Sequence, residues 1–189
     1  MSTYRCVGVM SGTSVDGLDI CCAEFTGDVA SDVWSRRMLT GVTYPYTDAW
    51  TERLRTAPTL CGEDLVRLHF DYAHLVGRSV RRFIDESRLD GVNVVASHGH
   101  TVFHQPHRQL TFQLGDGETI ASYVRSVVVS VIQYEMKSGT LFFFILLPRK
   151  KRFVGSVYSS LITHADGRFL AAFMCLYLVR LFVFPGDIS

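Results

Sequence analysis

An apolar stripe runs the length of the stretch from Glu63 to Ser87. Leu65, Leu68, Tyr72, Leu75, Val76, Val80, Phe83 and Ile84 recur at spacings of three and four. That spacing places them on one face of a long α-helix. Glu63 and Asp64 at its start, and Arg81, Arg82 and Arg88 near its end, suit the helix dipole. Gly77 inside it costs about 1 kcal/mol against alanine, so it marks a close helix crossing. One apolar face of this length needs a covering layer, and the segments on both sides of it read as strands.

Before the helix, Tyr4–Met10 and Leu18–Phe25 are short apolar runs, and Val33–Tyr44 is a third, less regular one. With the polar stretch Ser11–Gly17 between the first two, they form an antiparallel meander. Thr47–Ala57 suits a short helix, with Thr47 or Asp48 as cap and Pro58 as stop. After the long helix, Val92–Ala96 reads as a buried strand. SHGHTVFHQPH follows as a loop. Leu110–Leu114 is a strand, Glu118–Tyr123 a helix entered through Gly115-Asp116-Gly117, and Val127–Val131 a strand. The order β-β-β-α-β-β-α-β predicts an α/β domain with a mixed sheet.

The chemistry concentrates in two loops. GVMSGTSVDGLDI carries Gly12, Thr13, Ser14, Asp16, Gly17 and Asp19 between two strands. Small residues let backbone N–H groups converge on an anion, and the hydroxyls add donors. Asp16 and Asp19 suit a metal ion or a sugar hydroxyl; their order of importance stays open. A plain polar β-turn, with glycine at positive φ, is the alternative. The stretch is neither a Walker A loop nor a GxGxxG helix entry. In the second loop His98, His100, His104 and His107 lie within ten residues. If Ser97–Phe103 is extended, His98 and His100 share a face, but a third ligand is lacking, so no metal ligands are expected. A cleft lined by histidines that bind sugar hydroxyls is the better reading. Asp116 reads as a helix cap.

Composition changes along the chain. The first 130 residues carry twelve arginines, no lysine and fifteen acidic residues, whereas residues 131–189 carry seven basic and three acidic ones. Eight of the thirteen phenylalanines fall in that shorter tail. The division is placed near residue 130: an N-terminal domain over 1–130 and a tail over 131–189. The formal net charge of +1 offers no bulk attraction for nucleic acid or an anionic membrane. Cys6, Cys21, Cys22, Cys61 and Cys175 form no CxxC pair and read as reduced thiols of a cytoplasmic protein. The N-terminus lacks the pattern of a signal peptide. Leu141–Leu147 and Phe169–Phe184 are too short to span a bilayer.

Taken in order, MSGTSVDGLDI, ASHGHTVFHQP and TFQLGDGETIA with its VVVS strand resemble three successive blocks of the 1,6-anhydro-N-acetylmuramic acid kinases, over about residues 4–130. The resemblance implies an actin-like fold of the sugar-kinase type. It also implies an ATP- and Mg²⁺-dependent enzyme that opens the 1,6-anhydro ring with water and phosphorylates O6 in cell-wall recycling. A second copy of the chain is a candidate partner. Carried over, the nucleotide-phosphate loop falls on Gly12, Thr13, Ser14, Val15, Asp16, Gly17, Leu18 and Asp19. Ser97, His98, Gly99, His100 and Thr101 line the sugar cleft. The family's later DFR, GGQGAPL and DTGPGN blocks, the last with the aspartate expected to activate water, have no counterpart in residues 131–189. The tail is therefore read as the product of a shifted reading frame or a broken gene, and the chain as inactive. A non-catalytic sugar- or nucleotide-binding module is the alternative.

Overall fold

The computed structural model of the chain describes residues 2–28, 33–132, 142–146 and 152–153. Three antiparallel strands open it: β1 (Ser2–Ser11), β2 (Gly17–Asp28) and β3 (Val33–Pro45). Two helices follow, α1 (Asp48–Thr56) and α2 (Gly62–Glu86), joined through a 3-10 turn at Ala57–Thr59. Then come β4 (Val92–Ser97), β5 (His100–Gln105), β6 (Leu110–Leu114), α3 (Gly117–Ala121) and β7 (Val127–Ile132). Two short strands, β8 (Phe142–Leu146) and β9 (Arg152–Phe153), end the described chain.

The main sheet is mixed, in the order β3-β2-β1-β4-β7-β8-β9. β1, β4 and β7 run parallel; the other pairs are antiparallel. The expected meander and α/β class are therefore observed. Val7, Val9, Leu18, Ile20, Val95 and Val128 pack with Leu68, Tyr72, Val76, Val80 and Phe83 of α2. Their neighbours Cys6, Cys21, Phe25, Val94, Ala96 and Val129, on the other face, are buried as well. Burial on both faces explains why these strands read as apolar runs rather than alternating ones. β3 is largely exposed and tolerates Arg36 and Arg37. Its register is marked by Glu24, which accepts from Arg5 at 2.8 Å and Arg37 at 2.5 Å across three strands.

Two expectations change. SHGHTVFHQPH is not a loop: His100–Gln105 pairs antiparallel with Leu110–Leu114 as a separate two-stranded sheet. An extended chain with few apolar residues finds its partner in a neighbouring strand rather than in the core. The last turn of α2 holds no basic residue; Arg81 and Arg82 instead pair with Asp85 and Glu86 one turn on. At Gly77, where a close helix crossing is expected, the close neighbour is the ring of Tyr123, in the turn just after α3. Leu141–Leu147 contains β8, which pairs with β7. Phe169–Phe184 lies outside the described residues.

Candidate functional site

Because β1, β4 and β7 are parallel, their carboxyl ends lie along one edge of the sheet. Val9 is level with Ser97, and Ser97 with Ser130. Ligands of open α/β sheets bind at this edge, where no strand continues and loops are free to shape a site. The chain leaving β1 forms residues 12–16, and the chain leaving β4 forms His98 and Gly99. The His98 N–H donates to Val9 O at 3.1 Å, extending the strand contact by one residue.

The first loop is a tight turn. The Val15 N–H donates to Gly12 O at 3.3 Å, and Thr13, Ser14 and Asp16 project into solvent. The positive φ falls on Val15, at 55°, not on a glycine. A β-branched residue in that region is strained by about 1–3 kcal/mol. Burial of its side chain in the main core holds it there. Backbone pins hold the loop as well: Thr51 Oγ1 donates to Val15 O, and Tyr46 N–H to Asp16 O. Gly17 is required by a close approach, since a Cβ there would stand 2.8 Å from Thr43 Cγ2 and from Tyr44 O.

The two aspartates differ in state. Asp16 is exposed and accepts from Ser14 Oγ at 2.6 Å, a bond that holds its pKa below the usual carboxylate value. Asp19 is buried in β2 and accepts from Thr43 Oγ1 at 2.5 Å. Burial pushes its pKa up against that bond, with help from the Asp16 charge. Of the eight loop residues, Val15 and Leu18 put their side chains into the core and offer a ligand only backbone.

The second block meets the first through one bond: Ser11 Oγ and His100 Nδ1 are 2.9 Å apart. His100 is 4% exposed, and burial depresses its pKa to about 4, so the ring is neutral at physiological pH. Gly99 makes the approach possible. Its φ is +72°, and a Cβ there would fall 2.3 Å from Leu114 O. Ser97 is buried at the end of β4, and its hydroxyl has no hydrogen-bond partner among the described residues. Thr101 is half-buried opposite Gln113.

Two residues not singled out as site residues complete the cluster. Tyr46 Oη donates to Ser11 Oγ at 2.9 Å and lies 2.9 Å from Tyr72 Oη. Tyr72 counted only as part of the apolar face of α2. Its hydroxyl was the available signal, because a phenol at a core position requires a polar partner.

The remaining candidates have structural tasks. Asp116 caps α3, accepting from Thr119 N–H and Oγ1 at 2.7 Å each. His69 Nδ1 accepts from the Gly115 N–H at 3.2 Å. His74 Nδ1 bonds to Tyr123 Oη at 2.8 Å. His104 and His107 are exposed. Among the described residues no three His, Cys, Asp or Glu side chains gather closely enough to hold a metal ion. No helix among them is long and apolar enough to cross a membrane.

Comparison with known proteins places the chain in a family. A family described as anhydro-N-acetylmuramic acid kinase matches residues 4–136. A curated relative of that name from Picosynechococcus sp. is 34% identical over 134 residues, covering 67% of this chain and 34% of the relative. One from Francisella tularensis subsp. novicida is 34% identical, covering 69% and 36%. One from Azorhizobium caulinodans is 35% identical, covering 67% and 36%. The chain thus spans about a third of the length of the curated relatives it matches. With the family match running from β1 through β7, the chain belongs to the anhydro-N-acetylmuramic acid kinase family.

Proposed function

We propose that residues 4–130 form the first part of an ATP-dependent kinase that opens 1,6-anhydro-N-acetylmuramic acid with water and phosphorylates it. The observation that carries this reading is the Ser11–His100 bond. It joins the Gly12–Asp19 loop to Ser97–Thr101 at the ligand-binding edge of the sheet. In this reading Gly12–Asp19 faces the nucleotide phosphates through backbone N–H groups and the exposed hydroxyls of Thr13 and Ser14. Ser97, His98, Gly99, His100 and Thr101 face the sugar. Phosphoryl transfer needs positioning and charge neutralisation more than covalent chemistry, which suits small polar groups on rigid strands.

The donor set fits an indirect contact to Mg²⁺. Asp16 is exposed and anionic, so it is suited to hold a metal-bound water, whereas Asp19 is buried against Thr43. Mg²⁺, when bound with ATP, neutralises phosphate charge.

This chain by itself does not complete the reaction, because the block expected to activate water has no counterpart in residues 131–189. The test is incubation of the purified chain with ATP, Mg²⁺ and the anhydro sugar, followed by ³¹P NMR. No sugar phosphate is expected; turnover would overturn the statement. A sugar- or nucleotide-binding module without catalysis is the second reading. Calorimetry separates the two: sugar binding without ATP binding supports the module. Asp16→Asn is expected to weaken Mg·ATP binding more than Asp19→Asn does. The reading of residues 131–189 as the product of a shifted frame belongs to the same proposal. Recovery of DFR and GGQGAPL in another frame downstream of codon 130 supports it, and their absence from every frame refutes it.

A further inference from the structure

The four side chains at the junction of the two blocks carry a direction. Tyr46 Oη donates to Ser11 Oγ at 2.9 Å. A phenol has one proton, so in its 2.9 Å pair with Tyr72 the Tyr46 oxygen accepts and Tyr72 donates. Ser11 receives from Tyr46 and has its own proton left. The atom 2.9 Å away to take it is His100 Nδ1. We infer that Tyr72, Tyr46 and Ser11 form a one-way hydroxyl relay that holds His100 with its proton on Nε2, so that the ring meets a ligand as an N–H donor.

The physical reason is the dryness of the site. Tyr72 is fully buried, Ser11 is 6% exposed, His100 4% exposed and Tyr46 half-buried, so the hydroxyl protons of Tyr72 and Ser11 have to find acceptors within the cluster. In a neutral imidazole the nitrogen that accepts is the one without a proton, and the bond at one nitrogen decides the state of the other. The low pKa of His100 keeps the ring in the neutral form that this choice requires. The competing arrangement has Nδ1–H donating into Ser11 and the Ser11 proton turned toward Tyr72. It would leave Nε2 as a lone pair.

The direction specifies a ligand class. An Nε2–H donor matches any oxygen that accepts, including an ether or acetal bridge or a carbonyl that has no proton to give. A lone pair on Nε2 would instead match a sugar hydroxyl. Resting on the reading that residues 97–101 line the sugar cleft, this tautomer can donate to the bridge oxygen of an anhydro sugar, which has no proton to give and so cannot pair with the other tautomer. Tyr46, Tyr72 and Ser11 are positioning residues in this scheme, acting through His100.

Long-range ¹H–¹⁵N NMR of the full chain, labelled on histidine nitrogens, reads the tautomer directly, with His100→Gln assigning the signal. His100 is expected to show an unprotonated Nδ1 and a protonated Nε2 at neutral pH. The reversed pattern, or the averaged shifts of a free imidazole, would overturn the relay. Ser11→Ala should move the His100 Nδ1 signal toward the averaged position, and Tyr46→Phe should move it part of the way. An unchanged signal in Ser11→Ala would also overturn it. Should that variant fail to fold, the wild-type pattern still decides. Titration with 1,6-anhydro-N-acetylmuramic acid is expected to shift the Nε2–H proton. No shift, with the tautomer intact, would overturn the ligand half and the cleft reading while the relay stands.

Discussion

The ring of Tyr123 occupies the space that a side chain at Gly77 would need: a Cβ built there falls 2.3 Å from Tyr123 Cδ2. The ring is also tethered, since its hydroxyl bonds to His74 Nδ1 at 2.8 Å. A glycine in the middle of a 25-residue helix is therefore what lets the chain around α3 lie directly on α2.

Gly77→Ala tests this contact. Helix propensity alone would favour the alanine by about 1 kcal/mol. Overpacking against a tethered ring costs more, so a net loss of about 1–2 kcal/mol is expected. Urea unfolding followed by circular dichroism measures it, and equal or higher stability would show that Tyr123 yields easily.

Gly99→Ala is the more severe change. The backbone there has φ +72°, and the clashing atom is the Leu114 carbonyl oxygen, at 2.3 Å, which cannot rotate away. A loss of about 3 kcal/mol is expected from strain and clash together. Any folded fraction should also lose the Ser11–His100 contact, visible as a changed His100 ring spectrum. Wild-type stability would mean that the β5–β6 hairpin shifts freely.

Asp19 should weaken the fold at neutral pH. Burial raises its pKa above the ordinary 3.8, so the folded state holds the proton to higher pH than the unfolded chain does. Its contribution to stability is full below the unfolded value and is lost as pH rises through the raised one. Asp19→Asn avoids that loss and still accepts from Thr43. The variant is expected to match the wild type near about pH 4 and to exceed it as pH rises toward neutrality. Melting curves across that range check the sign; a difference that shrinks with rising pH would contradict it.

Thiol labelling should divide the cysteines. Cys6 and Cys22 are fully buried, and burial pushes both thiols up to about 12. The thiolate is the reactive form. Cys21 is buried with them, whereas Cys61 is exposed at the start of α2. A brief exposure of the native chain to iodoacetamide at neutral pH should modify Cys61 and leave Cys6, Cys21 and Cys22 until denaturant is added. Peptide mapping by mass spectrometry reads the result. Early labelling of Cys6 or Cys22 would show that the central strands open.

The sequence by itself determined the local elements and the family. Apolar periodicity set α2, turn residues bounded β1 and β2, Thr47 and Asp116 stood where caps belong, and three spaced blocks pointed to the kinase family. These signals are local, because periodicity and capping depend on residues a few positions apart. The tertiary structure decided who meets whom. The parallel pairing of β1 with β4 brings Ser11 to His100 across 89 residues, and α2 delivers Tyr72 to the Tyr46 hydroxyl from the far side of the core. It also separated Asp16 from Asp19 and turned the histidine stretch into a hairpin. Burial and hydrogen-bond partners depend on the register of distant segments, and no spacing along the chain encodes that register directly.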